Sequence, residues 1–393
     1  MKYSDTAARR RLPTAVTVLL SVLATVGVML GALTALLGRD GLAVLQGWLL
    51  VRWAFVEEDA DLAQAADQAL EGMVSGLGDR WSYYVDEEAY AELKESRANQ
   101  YLGIGVTVST QQEAGLTILS VTPDSPAERA GLSEGEIITA VDGELVSGEA
   151  RFAGTDLMKG IAGSEKTLTV LDSRGAARQV TIILAQIRVA VVEGTLLENG
   201  MGLVAIRNFN TNASEEFTAV VNELVEEGAT ALLFDVRNDG GGYVQELTQM
   251  LDFLLPEGAV FQSTPRWGFA SAIRSDADCI GLPFGVLVNG ASYSAAELFA
   301  AQLKESAGAP IVGELTSGKG YSQNTFPLLN GGAIGLSTAR YSTGSGVSLI
   351  GTGITPDVEV SLTEEENRML KAGQLLPEAD RQLQALIQWM EQS

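Results

Sequence analysis

The sequence contains no histidine, and this absence excludes several kinds of catalytic site. A Ser-His-Asp triad, a zinc site of the HExxH type and a histidine general base are all ruled out. Any hydrolytic site must therefore use a lysine, a carboxylate or an amine as its base. The single cysteine, Cys279, excludes an internal disulfide and cannot form a metal site alone. We expect it to be a small, buried apolar side chain.

Basic residues are also scarce. The 26 Lys and Arg residues are outnumbered by 50 Asp and Glu residues, and the formal net charge is −24. Nothing in the sequence resembles the basic stripe that binds nucleic acid, so no nucleic-acid partner is expected. The remaining composition is that of a globular protein, with 46% hydrophobic residues. Its 393 residues are enough for two or three domains.

One long apolar run lies near the N-terminus. Lys2 and Arg9 to Arg11 precede an uncharged run from Leu12 to Gly38, which exceeds the roughly 20 residues that span a bilayer as a helix. Because basic flanks stay cytoplasmic, we predict a cytoplasmic basic tail over 1–11 and a transmembrane signal-anchor over 12–38. The rest of the chain is then an extracytoplasmic body at the cell membrane. A cleaved signal peptide is the alternative, although its apolar region is usually shorter, about 7–15 residues.

The body divides into four segments by its hydrophobic pattern. Residues 50–99 carry two amphipathic helical patterns and predict an N-terminal helical cap. The pattern alternates as short strands over 100–186, which predicts one compact unit of the size of a small domain. Strands alternate with helices over 187–360 and indicate an α/β layer with a largely parallel sheet. Residues 361–393 are polar and form a C-terminal helical tail.

Three segments of the α/β layer carry residues suited to catalysis. VNGASYSAAE at 288–297 holds Ser292 and Ser294 at a strand-to-helix junction, where a serine can be a nucleophile or a helix cap. Lys319 lies between two glycines, Gly318 and Gly320, that would let the backbone pass close to the strand before this junction. If buried, such a lysine loses its proton more easily and can serve a serine as base. LLFDVRNDGGGYV at 232–244 lacks the lysine of a phosphate loop but can supply backbone N–H groups to an oxyanion.

Together these segments resemble the carboxyl-terminal processing peptidases, also called tail-specific proteases. The family's Asp-x-Arg-Asn pattern with following glycines matches DVRNDGGG at 235–242, and its nucleophile motif matches VNGASYSAAE at 288–297. Its Gly-Lys-Gly-x-x-Gln motif matches GKGYSQ at 318–323, and its closing Gly-x-Gly-Ile-x-Pro-Asp matches GTGITPD at 351–357. The resemblance extends over most of residues 60–360.

The resemblance implies which serine acts. In the family the nucleophile lies three residues before the glutamate of its motif, here Glu297, and 25 before the lysine; both spacings lead to Ser294. Ser292 then takes the earlier, non-nucleophilic position, where a local hydrogen-bonding role is expected. Lys319 becomes the general base, and Glu297 has a supporting structural role.

The resemblance also implies the rest of the catalytic site. Gln323 is expected to help orient the lysine. The N–H of Ala295 would provide one half of an oxyanion hole, and the N–H of Gly241 or Gly242 the other. No metal, nucleotide or other cofactor is implied. Tyr293 departs from the family, which commonly has alanine between the two serines, and the sequence offers no account of it.

Residues 100–186 are similar to the PDZ domains of bacterial proteases. Such a domain would bind the C-terminus of a protein or peptide substrate as an added strand. Its carboxylate-binding loop is expected in YLGIGV at 101–106, with the substrate-binding residues Leu102, Gly103, Ile104, Gly105 and Val106. The implied fold class is α/β: a crotonase/ClpP-like protease core of mixed sheet and helices over 187–360, interrupted by the inserted PDZ domain and preceded by the transmembrane helix.

The expected function is that of a membrane-anchored, extracytoplasmic serine endopeptidase with a Ser-Lys dyad, which processes or degrades proteins with free C-termini. The terminal helices could also pair two copies as a homodimer. One alternative is a proteolytically weak PDZ scaffold that binds protein C-termini at the membrane, but it predicts loss of the dyad, and both partners are present. The other is an acyl-CoA enzyme on a crotonase-like core, which the PDZ insertion and the extracytoplasmic address disfavour.

Overall fold

The computed structural model describes residues 14–392, so the predicted basic tail over 1–11 lies outside the described residues. The chain divides into two compact units, and the boundary between them along the chain falls between Gly72 and Met73. The helices of the described residues are α1 (Thr14–Ala54), α2 (Leu62–Ser75), α3 (Glu87–Arg97), α4 (Pro126–Arg129), α5 (Gly154–Leu157), α6 (Ala213–Glu226), α7 (Val244–Leu254), α8 (Ala295–Ala307), α9 (Glu364–Lys371) and α10 (Arg381–Gln392).

The strands alternate with these helices in the second half of the chain and are consecutive in the middle. They are β1 (Tyr83–Val85), β2 (Gln100–Gly103), β3 (Val106–Ser109), β4 (Leu116–Val121), β5 (Ile137–Val141), β6 (Glu144–Leu145), β7 (Glu165–Leu171), β8 (Ala177–Ile183), β9 (Ala185–Arg188), β10 (Val192–Leu196), β11 (Met201–Ile206), β12 (Ala231–Asp235), β13 (Gly258–Pro265), β14 (Ser271–Ser275), β15 (Phe284–Val288), β16 (Ile311–Gly313), β17 (Tyr321–Pro327), β18 (Ala333–Ser342) and β19 (Val358–Glu359).

Helix α1 is the apolar N-terminal helix. Its most apolar window has a mean hydropathy of 2.4, and none of that window is buried. The backbone leaves the helical region at Gly38, where φ is 64° and ψ is −175°, so the helix kinks at the end of the predicted span. Glycine accepts this positive φ because it has no Cβ. By length and composition α1 can cross a membrane, either as an anchor or as a signal sequence.

The middle of the chain forms an all-β unit with a core of its own. Five strands pair in the order β3-β4-β5-β7-β8, and β6 adds to β5. Alternate residues of β4, such as Leu116 and Ile118, are fully buried and pack against Ile138, Leu168 and neighbouring apolar side chains. Among the described strands β3 pairs with β4 alone, so its other edge is open.

The α/β layer is a six-stranded sheet in the order β10-β11-β12-β15-β16-β19. It is parallel except for the β10–β11 pair. Every residue of β12 and β15 is buried because both faces of the sheet are covered. On one face Phe234 packs against Phe217 of α6 and Phe299 of α8, and on the other Leu233 packs in a cluster with Leu386 of α10.

The predicted mixed α/β architecture is confirmed, whereas the crotonase/ClpP-like character of the core stays a prediction. The expected burial of Cys279 is wrong, because the residue lies in the loop between β14 and β15 and is exposed. A second sheet has the order β1-β18-β13-β14 with β17 beside β18. Most of its strands are interspersed along the chain with those of the parallel sheet, and it supplies further side chains to the site described below.

A buried ion pair joins the C-terminal helix region to the parallel sheet. The Arg237 guanidinium bonds to the Asp235 carboxylate at 2.6 Å and to the Asp380 carboxylate at 2.6 Å. A further bond runs from Arg237 to the Gln382 side chain at 2.9 Å. The carboxylates around it hold the pKa of Arg237 above its ordinary value although burial opposes this. These contacts fix the start of α10 against the end of β12.

Candidate active site

Three loops meet at one edge of the parallel sheet. They follow β12, β15 and β16, which are neighbours in the sheet and end at the same side. Asn289, after β15, bridges to the loop after β12: it accepts from the Asn238 N–H at 3.0 Å and donates to the Asn238 side chain at 3.1 Å. The predicted glycine turn, serine junction and lysine loop are therefore brought together.

Ser294 occupies a strained position at the start of α8. Its φ of 63° and ψ of −120° lie outside the regions that side-chain-bearing residues ordinarily adopt. Strain of this kind is typical of a nucleophile held on a sharp strand-to-helix turn. The residue lines a cavity of about 330 Å³ that also contains Lys319 and Gln323.

Ser292, in contrast, is fully buried, and its hydroxyl is hydrogen-bonded to backbone groups. Its hydroxyl donates to the Val236 carbonyl at 2.7 Å and accepts from the Asn289 N–H at 3.0 Å. These bonds connect the loops after β12 and β15. A hydroxyl engaged in this way has a structural role, which is the local role that the sequence predicted for it.

The buried Glu297 carboxylate connects the serine junction to the lysine loop. It accepts from the Ser294 N–H at 3.1 Å, from the Gly318 N–H at 2.8 Å and from the Lys319 N–H at 2.9 Å. The Thr316 hydroxyl also donates to it. With four donors around it and no exposed surface, Glu297 holds the backbone of both segments in one arrangement.

Lys319 is buried, and its ammonium lies over two aromatic rings. Its Nζ is 4.8 Å from the ring centre of Trp81 and 5.5 Å from that of Tyr293. Burial lowers the pKa of Lys319 to about 8, and the Arg97 cation acts in the same direction. The carboxylates of Asp79 and Glu297 act in the opposite direction. At pH 7 about a tenth of a lysine with this pKa is neutral and can accept a proton.

Ser294 and Lys319 line the same cavity without a direct bond. Within residues 14–392 no hydrogen bond joins their side chains. The Ser294 hydroxyl instead faces the phenol of Tyr341, which donates to the Lys319 carbonyl at 2.7 Å. Burial raises the pKa of Tyr341 well above its ordinary value. The sequence alone does not point to Tyr341, because it comes from β18, in a different sheet, and no spacing connects it to the lysine motif.

The two glycines beside the lysine lie against residues 350–353. A Cβ on Gly318 would lie 3.0 Å from the Gly353 backbone nitrogen, and a Cβ on Gly320 would lie 2.3 Å from the Ile350 side chain. Their lack of side chains therefore allows the lysine loop to pack against residues 350–353. The same loop also passes close to the serine junction, where the Ser317 N–H donates to the Ser292 carbonyl at 3.3 Å.

Gln323 lies on β17 at the wall of the same cavity. Its side-chain amide donates weakly to the Ser337 hydroxyl at 3.5 Å. In the described part of the chain its side chain makes no hydrogen bond to Lys319. Its position next to the lysine agrees with an orienting role, which stays a prediction.

The candidate oxyanion donors differ in their availability. The Gly241 N–H donates to the Asp239 carboxylate at 2.7 Å, whereas the Gly242 and Ala295 N–H groups have no acceptor among the described residues and border the cavity. Asp239 is fully buried, and burial raises its pKa well above the ordinary value. The geometry thus favours Ala295 with Gly242.

The predicted carboxylate-binding loop spans two sheets. Leu102 and Gly103 belong to β2, which pairs with β9, whereas Val106 begins β3. Between them the Ile104 and Gly105 carbonyls accept from Ala127 at 2.8 Å and from Thr122 at 2.9 Å. Their N–H groups make no hydrogen bond within residues 14–392 and lie at the beginning of the open edge of β3.

Comparison with known proteins gives matches in both regions. Residues 200–360 match the model of Peptidase family S41, and residues 117–171 match a PDZ domain model. The carboxy-terminal-processing protease of Bartonella bacilliformis is 31% identical over 304 residues, which cover 75% of this chain and 69% of that protein. The carboxyl-terminal-processing protease of Picosynechococcus is 30% identical over 318 residues, covering 79% and 77%.

A solved structure also resembles the chain. That of a candidate S41 protease of Bacteroides fragilis superposes with a TM-score of 0.55 at 16% identity. The likeness covers 86% of this chain and 92% of the other. At this identity it concerns the fold alone.

Proposed function

The chain belongs to peptidase family S41, the carboxyl-terminal processing serine peptidases, and on that premise we propose that it cleaves peptide bonds with a Ser294–Lys319 dyad. One observation carries the proposal: a strained serine at a helix start and a buried lysine with a pKa of about 8 border one cavity. The absence of histidine leaves lysine as the suitable base. The hydrogen bonds of Ser292 argue against it as the nucleophile.

The proposed reaction begins with neutral Lys319 turning from the aromatic rings toward Ser294. The lysine accepts the serine proton while the serine Oγ attacks the peptide carbonyl, and it then delivers this proton to the leaving amine. Water, activated by the same lysine, hydrolyses the acyl-enzyme. Gln323 is proposed to orient the lysine during these steps.

The oxyanion of the tetrahedral intermediate would be held by backbone N–H groups. Ala295 is the first residue of α8, where an N–H has no partner within the helix. Gly242 offers the second free N–H at the cavity. The Gly241 N–H could join only after it released the Asp239 carboxylate.

The pH dependence of kcat/KM should show Lys319 as the base. Because only the neutral amine accepts a proton, kcat/KM should rise about tenfold per pH unit below the lysine pKa and level off above it. The pKa of about 8 puts this change near pH 8. The measurement is kcat/KM of the detergent-solubilised full chain on an unstructured protein substrate. A flat profile through this range would show that Lys319 does not act as a base that titrates there.

We further propose that the all-β unit captures the substrate's C-terminus. The free N–H groups of Ile104 and Gly105 would bind the carboxylate, and the peptide would extend the open edge of β3. The rest of the bound substrate would then extend from this unit toward the cavity, where it is cleaved.

Amidation of the substrate's C-terminus tests this capture. Losing charge-assisted hydrogen bonds to the carboxylate should lower kcat/KM by about tenfold or more, chiefly through KM. Acetylation of the substrate's N-terminus is the matched control and should leave kcat/KM unchanged. Equal cleavage of free and amidated substrates would remove the carboxylate-binding role.

The remaining proposals concern the cellular location of the enzyme and its oligomeric state. Helix α1 is proposed to be retained as a single membrane anchor, with the basic N-terminal residues cytoplasmic and the peptidase outside. Pairing of two chains through the terminal helices is proposed as well. Protease protection of tagged termini in membrane vesicles would test the orientation.

A further inference from the structure

Tyr293, for which the sequence alone offers no explanation, packs beside Trp81. The two ring centres are 5.6 Å apart and the rings are tilted by 33°. The Lys319 Nζ lies over both rings, at 4.8 Å from Trp81 and 5.5 Å from Tyr293. Within residues 14–392 this ammonium has no carboxylate within ion-pair distance and no hydrogen-bond acceptor. The two aromatic faces thus take the place of an ion-pair or hydrogen-bond partner.

Both rings are held in place by contacts of their own. The Tyr293 N–H donates to the Asp239 carbonyl at 3.1 Å, and its ring lies against Gly240, where an added Cβ would come within 2.6 Å of the phenol oxygen. Trp81 is covered by the Arg80 guanidinium at 4.2 Å. Arg80 also donates to the Ser317 carbonyl at 3.0 Å, which ties the tryptophan segment to the lysine loop.

We propose that Tyr293 and Trp81 are positioning residues that hold the protonated Lys319 over their rings, away from Ser294, in the resting enzyme. Three observations support this: the ammonium lies over both rings, it makes no bond to Ser294, and the Ser294 hydroxyl faces Tyr341 instead. A tyrosine in place of the family's usual small residue supplies one of the two rings. The proposal rests on the proposed role of Lys319 as the general base.

An aromatic face attracts a cation but not a neutral amine. The rings therefore stabilise the ammonium, whereas burial stabilises the neutral form. Once Lys319 loses its proton, the attraction ends and the amine can turn toward the serine. Loss of the proton and movement into the catalytic position become one event. The other charged or titratable groups around the lysine are Asp79 and Arg80 before β1, Arg97 of α3, Glu297 of α8 and Tyr341 of β18.

The test replaces Tyr293 by phenylalanine and then by mono-, di- and trifluorophenylalanine in the full chain. Each fluorine weakens the negative face of the ring at almost constant size. The pKa of the acid limb of kcat/KM should fall stepwise with fluorine number, by about 0.5–1 unit in total. At pH 7 kcat/KM should rise about three- to fivefold, because a larger fraction of Lys319 is neutral. If the pKa of the acid limb stays the same along the fluorine series, the proposal is wrong.

Trp81→Leu is the second variant and should move the limb in the same direction. Tyr90→Leu is the matched control. The Lys94 Nζ lies 4.7 Å from the Tyr90 ring centre on α3, away from the cavity, so loss of this ring should leave the pKa of the acid limb unchanged. Lys319→Ala separates this proposal from the dyad. If Lys319→Ala retains wild-type activity, the dyad itself is wrong. If it is inactive and the fluorine series is flat, the dyad stands and the aromatic positioning is wrong.

Discussion

Ser294→Ala is expected to lower kcat/KM by about 10⁴-fold or more, whereas Ser292→Ala should retain kcat/KM within about tenfold of wild type. The first change removes the attacking oxygen, and only binding and the oxyanion donors remain to accelerate cleavage. The second removes a buried hydroxyl that joins the Val236 carbonyl to the Asn289 N–H. The two serines thus form a matched pair within one loop.

The effects of these two substitutions on stability should be the reverse of their effects on kcat/KM: Ser292→Ala should destabilise the protein more than Ser294→Ala. Ser292→Ala leaves the buried Asn289 N–H without its acceptor and removes the closer of the two donors to the buried Val236 carbonyl, which should cost about 1–3 kcal/mol of the free energy of unfolding. Ser294→Ala removes a hydroxyl that borders a cavity and should change this free energy little. Kinetics at a fixed temperature and thermal unfolding of the same preparations check both statements. Inactive Ser292→Ala with active Ser294→Ala would mean that the nucleophile is the other serine.

Arg237→Met is expected to lower the free energy of unfolding by about 3–5 kcal/mol, since it leaves the buried carboxylates of Asp235 and Asp380 without their cation. Both carboxylates bond to the arginine at 2.6 Å, and all three residues are buried. Because methionine fills much of the volume of the arginine side chain, the loss in the free energy of unfolding reflects the missing charge more than a cavity. Denaturant unfolding of the solubilised chain measures it.

Arg381→Met is the matched control for this change. Arg381 also bonds to a carboxylate, that of Glu366, at 2.6 Å, but its side chain is half exposed. Water already screens this pair, so its loss should change stability far less than the loss of Arg237. Equal effects of the two substitutions would contradict the importance assigned to burial at Arg237.

The parts of the site that the sequence could predict are those encoded in short segments after buried strands. DVRNDGGG, VNGASYSAAE and GKGYSQ each follow a continuous apolar run, and such runs predict neighbouring parallel strands with loops at one edge. The structure brings Ser294, Lys319 and the glycine turn to that edge. The mixed architecture and the open edge of β3 are also consistent with the predicted pattern and the inserted PDZ domain.

The parts that the sequence could not predict depend on contacts between distant segments. Trp81 and Tyr341 reach Lys319 from the segment before β1 and from β18, and no spacing connects them to the lysine motif. Tyr293 is local to the nucleophile, but its partner ring is not. The exposure of Cys279 could not be predicted either, because the general preference of cysteine for burial does not determine whether one particular loop residue is buried.

The identity of the activated serine is the central claim, and labelling with a fluorophosphonate followed by peptide mapping tests it most directly. The reagent reacts with a serine only where a base and oxyanion donors activate it. The account predicts one adduct, on Ser294, formed at least about 100-fold more slowly in Lys319→Ala. An adduct on Ser292 or elsewhere, or labelling of Ser294 that is equally fast without Lys319, would contradict it.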